Sequence, residues 1–383
     1  MWRYSCIDDL DLASYRLVDV SDRRPDVETG DLPLDLGAAV TVTVVDGRVA
    51  SIAGDEALVD HGVIECASLP PAAPALRESL GAVVTEAIDL FTDLNDAFAP
   101  DPLVIRVPAG TVLDRPILVD QLVTADGAAV FPRLVVQAGA NSQFTVIERY
   151  RSADVQALVV PVVEIDVARS ARVTYAAVQE LGPKVWQIAS QVSRVAQEAT
   201  FTSGTAALGG DYARLRTDCR LDGRGATGTL LAAYFGEGGQ TLDFRTFQDH
   251  RAPDTTSTLL FKGAVGGASR SVYTGLIRVR PDAKGTNAFQ TNRNIKLGPD
   301  AWAESVPNLQ IENNDVRCSH ASAVGPIDPE QRFYLESRGA PPADAERLIV
   351  AGFFEEVIAQ LPTSQLGVHV RAAIAEKLDR SSS

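Results

Sequence analysis

The spacing of apolar positions changes twice along the chain. Near the start, Val42 to Ile52 alternates around Asp46-Gly47, which predicts a hairpin with that dipeptide as its turn. From Leu76 to Ala99, Leu80, Val83, Val84, Ile88, Phe91, Leu94 and Phe98 fall roughly three or four apart. That is the period of one helical face, and Asp101-Pro102 closes it. From about 103 to 325 the helical period disappears. Short β-rich runs replace it, among them Phe144 to Ile147, Val159 to Val167, Val173 to Tyr175, Leu230 to Phe235 and Leu259 to Phe261.

Small or polar breaks separate these runs and resemble one another. They begin at Ala138, Ala168, Ala196, Asp222, Arg251, Asp282 and Asn314, at intervals of 26 to 32 residues. A unit of that length holds two or three short strands and cannot bury its own apolar face, whereas stacked units can. A parallel β-helix follows. A β-sandwich with irregular loops is the alternative, but it has no reason to keep a near-constant interval across seven breaks.

Beyond about 326 the helical pattern returns. Asp328 and Pro329 suit an N-cap and a first helical position, and Gly339 a stop. Pro341-Pro342 opens a second helix through Leu361, ended by Pro362. Leu366, Val370, Ile374 and Leu378 define a third, and Ser381 to Ser383 are expected to fray. The expected architecture is mainly β: a mixed α/β region over 1–100, a parallel β-helix core over 101–325, and a C-terminal helical domain over 326–383.

Composition narrows the function. The 383 residues carry a formal net charge of −15, so no broad positive field is available for nucleic acid or for an anionic membrane surface. Cys6, Cys66, Cys219 and Cys318 are far apart and form no C-x-x-C pair, which points to a reducing, cytoplasmic setting rather than a disulfide scaffold. No signal-peptide pattern is present, nor a run of about 18 apolar residues to span a bilayer.

Standard catalytic motifs are missing. No G-x-x-x-x-G-K-[ST] loop occurs, so no nucleotide site of that type belongs to this chain. Gly223 to Gly228 spells G-x-G-x-x-G but leads into a strand-like run, which suits a repeat turn and not a dinucleotide site. No H-E-x-x-H or G-x-S-x-G occurs. The four histidines are His61, His250, His320 and His369, few for a metalloenzyme. His250, between Asp249 and Arg251, reads as part of a capped turn. Asp243, Asp249 and Asp254 raise the possibility of paired carboxylates on a sugar-cleaving β-helix, although their spacing fits no single face.

One constellation remains. In an extended Arg317-Cys318-Ser319-His320, a period of two puts Cys318 and His320 on one face. Thiolate and imidazole together suit iron–sulfur species, zinc or copper(I). Two ligands do not complete a site, so the remainder must come from elsewhere, most simply from another subunit. On spacing alone, a half-buried cysteine beside a hydrogen-bonded histidine is the plainer account. Phe353-Phe354 reads equally as a partner-docking pair or as core of the C-terminal helices.

Several longer segments are informative together. Gly285-Thr286-Asn287-Ala288-Phe289-Gln290-Thr291-Asn292-Arg293-Asn294, Pro307 to Ile311, Asp315 to Ala321, Gly325 to Asp328 and Phe333 to Gly339 resemble the SufB/SufD family of iron–sulfur cluster assembly proteins. His250 to Ser257, Phe261 to Ala264, Val107 to Gly110 and Trp2-Arg3-Tyr4 fit the same family, so the resemblance spans nearly the whole chain. Relatives carry a helical extension ahead of the W-R-Y segment, whereas here Met1 directly precedes Trp2. Thr291 stands where SufB-like chains carry a reactive cysteine. Cys318-Ser319-His320 replaces their acidic-His-acidic triplet. Both differences point to the SufD-like branch.

The resemblance implies a right-handed parallel β-helix without catalysis of its own. It implies a heterodimer with a SufB-like subunit and a SufC-like ABC-type ATPase docked on the C-terminal helices, with sulfur arriving from a cysteine desulfurase system through SufB. It also implies a nascent iron–sulfur cluster held transiently at the heterodimer interface, with His320 and Cys318 beside it. A carbohydrate-active β-helix enzyme and an inert structural adaptor are the competing readings. Aromatics make up only 6% of the chain, few for sugar platforms.

Overall fold

The computed structural model describes residues 4–18, 34–56, 58, 63–66 and 79–381. Trp2, Arg3, His61, residues 76–78 and Ser382-Ser383 lie outside the described residues.

Two stacks of parallel strands form a β-solenoid of about eight turns. The first sheet runs Leu103–Val107, Arg133–Ala138, Val162–Val167, Val185–Val195, Tyr212–Leu221, Thr241–His250, Arg270–Val279 and Trp302–Ile311. The second runs Ile117–Val123, Gln143–Ser152, Arg172–Glu180, Thr200–Ala207, Thr227–Gly236, Thr256–Val265, Thr286–Lys296 and Val316–Pro326. Successive strands alternate between the sheets, and each pairs in parallel with the strand one turn on. Register partners run from 26 residues apart (Trp186 and Tyr212) to 32 (Arg270 and Trp302), the interval read from the breaks.

Those breaks stack into a ladder of turns. Gly110, Asn141, Ser170, Glu198, Gly225, Asp254 and Gly285 all have φ between 56° and 74°. The backbone N–H of each donates to the carbonyl one turn on: Asn141 to Arg169 at 3.0 Å, Glu198 to Arg224 at 2.9 Å, Asp254 to Lys284 at 2.8 Å. Left-handed backbone costs a side chain about 1 kcal/mol or more. The ladder of hydrogen bonds offsets that cost and keeps the turn length nearly fixed. The G-x-G-x-x-G lettering is one rung of this ladder, with Gly225 as its left-handed residue.

Inward positions fill the solenoid with Val136, Val146, Ile165, Phe201, Leu230, Phe244 and Phe261. Its two ends differ. At the start, the hairpin Val40–Val45 and Arg48–Gly54 caps the second sheet, with Asp46 and Gly47 both left-handed at its tip. Ile64–Cys66 pairs antiparallel onto Leu103–Val107 and caps the first. At the far end, among the described residues, Trp302–Ile311 and Val316–Pro326 each have a strand on one side only.

The helix expected over 76–99 is corrected to Leu90–Phe98. Asp89 caps it and forms a capping box with Thr92. Upstream, the buried Glu164 carboxylate accepts from the backbone N–H groups of Gly81, Val83 and Val84 at 2.8 to 2.9 Å. Those donors are taken out of any helical ladder by an anchor some eighty residues away.

Three helices end the chain: Pro329–Ser337, Pro342–Ile358 and Ser364–Ser381. The second stops three residues short of Leu361. Val350, Phe354, Val357, Leu366, Val370, Ile374 and Leu378 pack on the outward side of the second sheet, against Val178, Leu231, Ala233 and Phe235. Buried Lys377 fixes this dock by donating to the Leu208 carbonyl at 2.6 Å and to Glu237 at 2.9 Å.

Candidate functional site: the open last turn

Val316–Pro326 is the last strand of the second sheet, and alternation decides which of its residues look inward. Cys318 sits in register on Ala288, His320 on Gln290 and Ser322 on Asn292. The buried Ala288, Gln290 and Asn292 define the inward face, so Cys318 and His320 share it as the period of two predicts. In an interior turn this face would be covered by the next strand. Here His320, Ser322 and Val324 are exposed instead.

Cys318 is half-buried beside Ile277, Val279, Ala283 and Leu309. Burial pushes its thiol up, and the backbone of Ala288 only partly offsets this. The group therefore rests as a thiol at neutral pH, and a thiolate here needs a cation or a metal to stabilise it. Arg317 lies on the opposite face of the strand. Among the described residues no group of three or more His, Cys, Asp or Glu converges to hold a metal. This chain supplies two donors on an open face, fewer than a zinc or cluster site takes.

The turns behind this face are polar inside. The Tyr273 hydroxyl lies 2.9 Å from that of Thr246. Tyr234 donates to Asn294 and accepts from Asn292. Gln290 and Gln248 are buried with amides that have no partner among the described residues. Gln290, Asn292 and Asn294 entered the sequence reading only as part of a family-like run, and the others were not singled out, because isolated polar residues in a β-rich run look like the solvent side of a strand. For Tyr234, Gln290, Asn292 and Asn294, in-register parity with Ser257 and Ala288 was the usable signal.

The remaining sequence candidates are accounted for separately. His250 is fully buried inside the solenoid, bonded to Thr255 and Ser257 at 2.8 Å each. Burial pushes its pKa down to about 4, so it is a neutral structural group. Asp243, Asp249 and Asp254 do not converge. Asp243 pairs with Arg245 at 2.7 Å, Asp249 with Arg251 and Arg280, and Asp254 with Arg224. Each carboxylate is already neutralised by an arginine, which removes the paired-carboxylate arrangement. Cys219 is buried in the core, its thiol pushed up to about 12 by burial.

The docking expectation for Phe354 is corrected: it is 0% exposed, in the core between helix and sheet. Phe353 is half-buried, with Lys262 Nζ 4.7 Å over its ring and bonded to its carbonyl. It edges a groove lined also by Ile295, Ile327, Tyr334, Leu335 and Leu348. Tyr334 and Leu348 are exposed in it, and Phe333 (71%) is exposed on the same helix as Tyr334; none of the three was read from sequence as a docking group. Pro329–Ser337 buries no residue of its own, so its aromatics had no core to join.

Residues 121–353 match the family model described as SUF system FeS cluster assembly, SufBD core domain. The chain is 34% identical over 316 residues to an iron–sulfur cluster assembly SufBD family protein of Mycobacterium tuberculosis, covering 80% of this chain and 77% of that one. A Mycobacterium leprae protein of the same description is 35% identical over 260 residues, 66% of each chain. One from Synechocystis is 27% identical over 326 residues, covering 82% and 72%. An open-ended parallel solenoid, a family match across most of its turns and these relatives lead to one conclusion: the chain belongs to the SufBD family of iron–sulfur cluster assembly proteins.

Proposed function

We infer that this chain is a SufD-type, non-catalytic scaffold that presents one half of a cluster-handling site to a SufB-type partner. The observation that carries the reading is the uncapped last turn. An edge strand offers unpaired N–H and C=O groups to a second chain, and this one carries Cys318 and His320 on the face that a partner would cover. Thr291, where the SufB-like branch has a cysteine, and the Cys-Ser-His triplet favour the SufD-like assignment. The nascent cluster is cargo, and the partner supplies the ligands this chain lacks. The groove of Ile327, Tyr334, Leu335 and Leu348 is then the docking place for a SufC-type ATPase, and the cytoplasm the expected compartment.

The test is co-expression with the SufB-type and SufC-type chains of the same genome. Cys318→Ala with His320→Ala is expected to leave the complex assembled and to abolish its iron and sulfide content after reconstitution. Full cluster content in that double variant contradicts the reading and favours an inert adaptor.

A further inference from the structure

Directly behind His320, one turn earlier, lies Gln290, its register partner. Both side chains belong to the inward face. Gln290 is 1% exposed, and among the described residues neither its amide oxygen nor its amide nitrogen has a hydrogen-bond partner. A buried polar group left unsatisfied costs about 1–3 kcal/mol, so such a group calls for a reason.

The fold makes room for this amide. Gly275 faces it, and a Cβ there would stand 2.3 Å from Gln290 Nε2 and 2.4 Å from the Tyr273 hydroxyl. The neighbouring inward groups of the same strand are satisfied: Asn292 and Asn294 bond each other and Tyr234. The strand therefore holds one unsatisfied inward amide, placed under the exposed histidine.

We propose that Gln290 is the positioning residue for His320. When a partner covers the last turn, the Gln290 amide oxygen accepts the imidazole N–H that is not turned toward the metal. That bond fixes which ring nitrogen is presented and at what angle, as an acceptor behind a ligating histidine does generally. It also satisfies the orphaned amide. The inference rests on the reading above, that His320 is a ligand for the cargo.

Cobalt(II) titration of the assembled complex with its SufB-type partner, followed by visible absorption, tests it. The wild-type complex is expected to bind Co²⁺, and His320→Ala to lose that binding. Gln290→Met is expected to weaken it by about 10- to 100-fold and to shift the ligand-field bands, without lowering Tm. Gln290→Glu, which keeps an acceptor, is expected to recover most of the affinity. Wild-type affinity and spectrum in Gln290→Met overturn the inference while leaving the proposed function standing. No Co²⁺ binding by the wild-type complex, or undiminished binding by His320→Ala, overturns both. If Gln290→Met does not assemble, Gln290→Asn decides. It keeps the amide but withdraws it by one methylene, and full affinity there overturns the inference.

Discussion

The middle and the end of the solenoid obey the same alternation and differ in what covers it. In Thr227–Gly236 the inward residues Leu230, Ala232 and Tyr234 are sealed by the turns on either side. In Val316–Pro326 the equivalent positions hold His320, Ser322 and Val324, all exposed, with the half-buried Cys318 at the position of Gly228. The first end of the solenoid is closed by its own hairpin. The contrast teaches that exposure of the inward face, and not its polarity, marks where the solenoid stops: the turns behind the last one bury polar groups such as Gln290 and Asn292. Among the described residues none covers His320, Ser322 or Val324, whereas His250 inside the solenoid is buried and bonded to Thr255 and Ser257.

The sharpest way to break this contrast is to compare truncations at inward positions of a covered turn and of the last turn. Phe261 is buried among Phe244 and Tyr273, with ring centroids 5.7 and 5.6 Å away. Phe261→Ala is expected to cost about 3–5 kcal/mol in urea denaturation of the isolated chain. Val324→Ala, inward but exposed, is expected to change it by less than about 0.5 kcal/mol. Comparable losses at both positions would mean that the last turn is closed in solution.

Acid probes the closed interior. His250 titrates near 6.5 when unfolded and at about 4 when folded. Between those values the unfolded chain binds a proton that the folded chain does not. Stability is therefore full above pH 6.5 and falls by about 3 kcal/mol as the pH drops to 4. His250→Asn removes this dependence within that window, measured by denaturation at stepped pH. A pH slope unchanged by the substitution would place the loss elsewhere.

The flank gives a smaller effect. Lys377→Met keeps the packing volume but deletes the donations to Leu208 and Glu237. It is expected to cost about 2 kcal/mol, with faster hydrogen exchange confined to Ser364–Ser381.

Much of this architecture was legible in the sequence. The turn ladder was visible because each turn needs a left-handed residue at a nearly fixed interval, and short polar breaks report that need. The final helix was visible because Leu366, Val370, Ile374 and Leu378 all face one sheet. The segment ahead of Leu90 misled, since its apolar spacing is helical while Glu164 claims its backbone donors. Phe353 and Phe354 were indistinguishable as letters, and only the helix phase put one in the core. At the candidate site, the pairing of Cys318 with His320 followed from period two alone. That their face is open, and that Gln290 waits behind it unpartnered, depends on which turn is last. Local sequence does not encode that.

The central claim is that the last turn is the edge a second chain completes. The most direct measurement is hydrogen exchange across Val316–Pro326, with and without the SufB-type chain of the same genome. The account predicts fast exchange at the unpaired amides of this strand in the isolated chain and strong protection in the complex. Unchanged exchange there, with protection appearing on another surface, would contradict it.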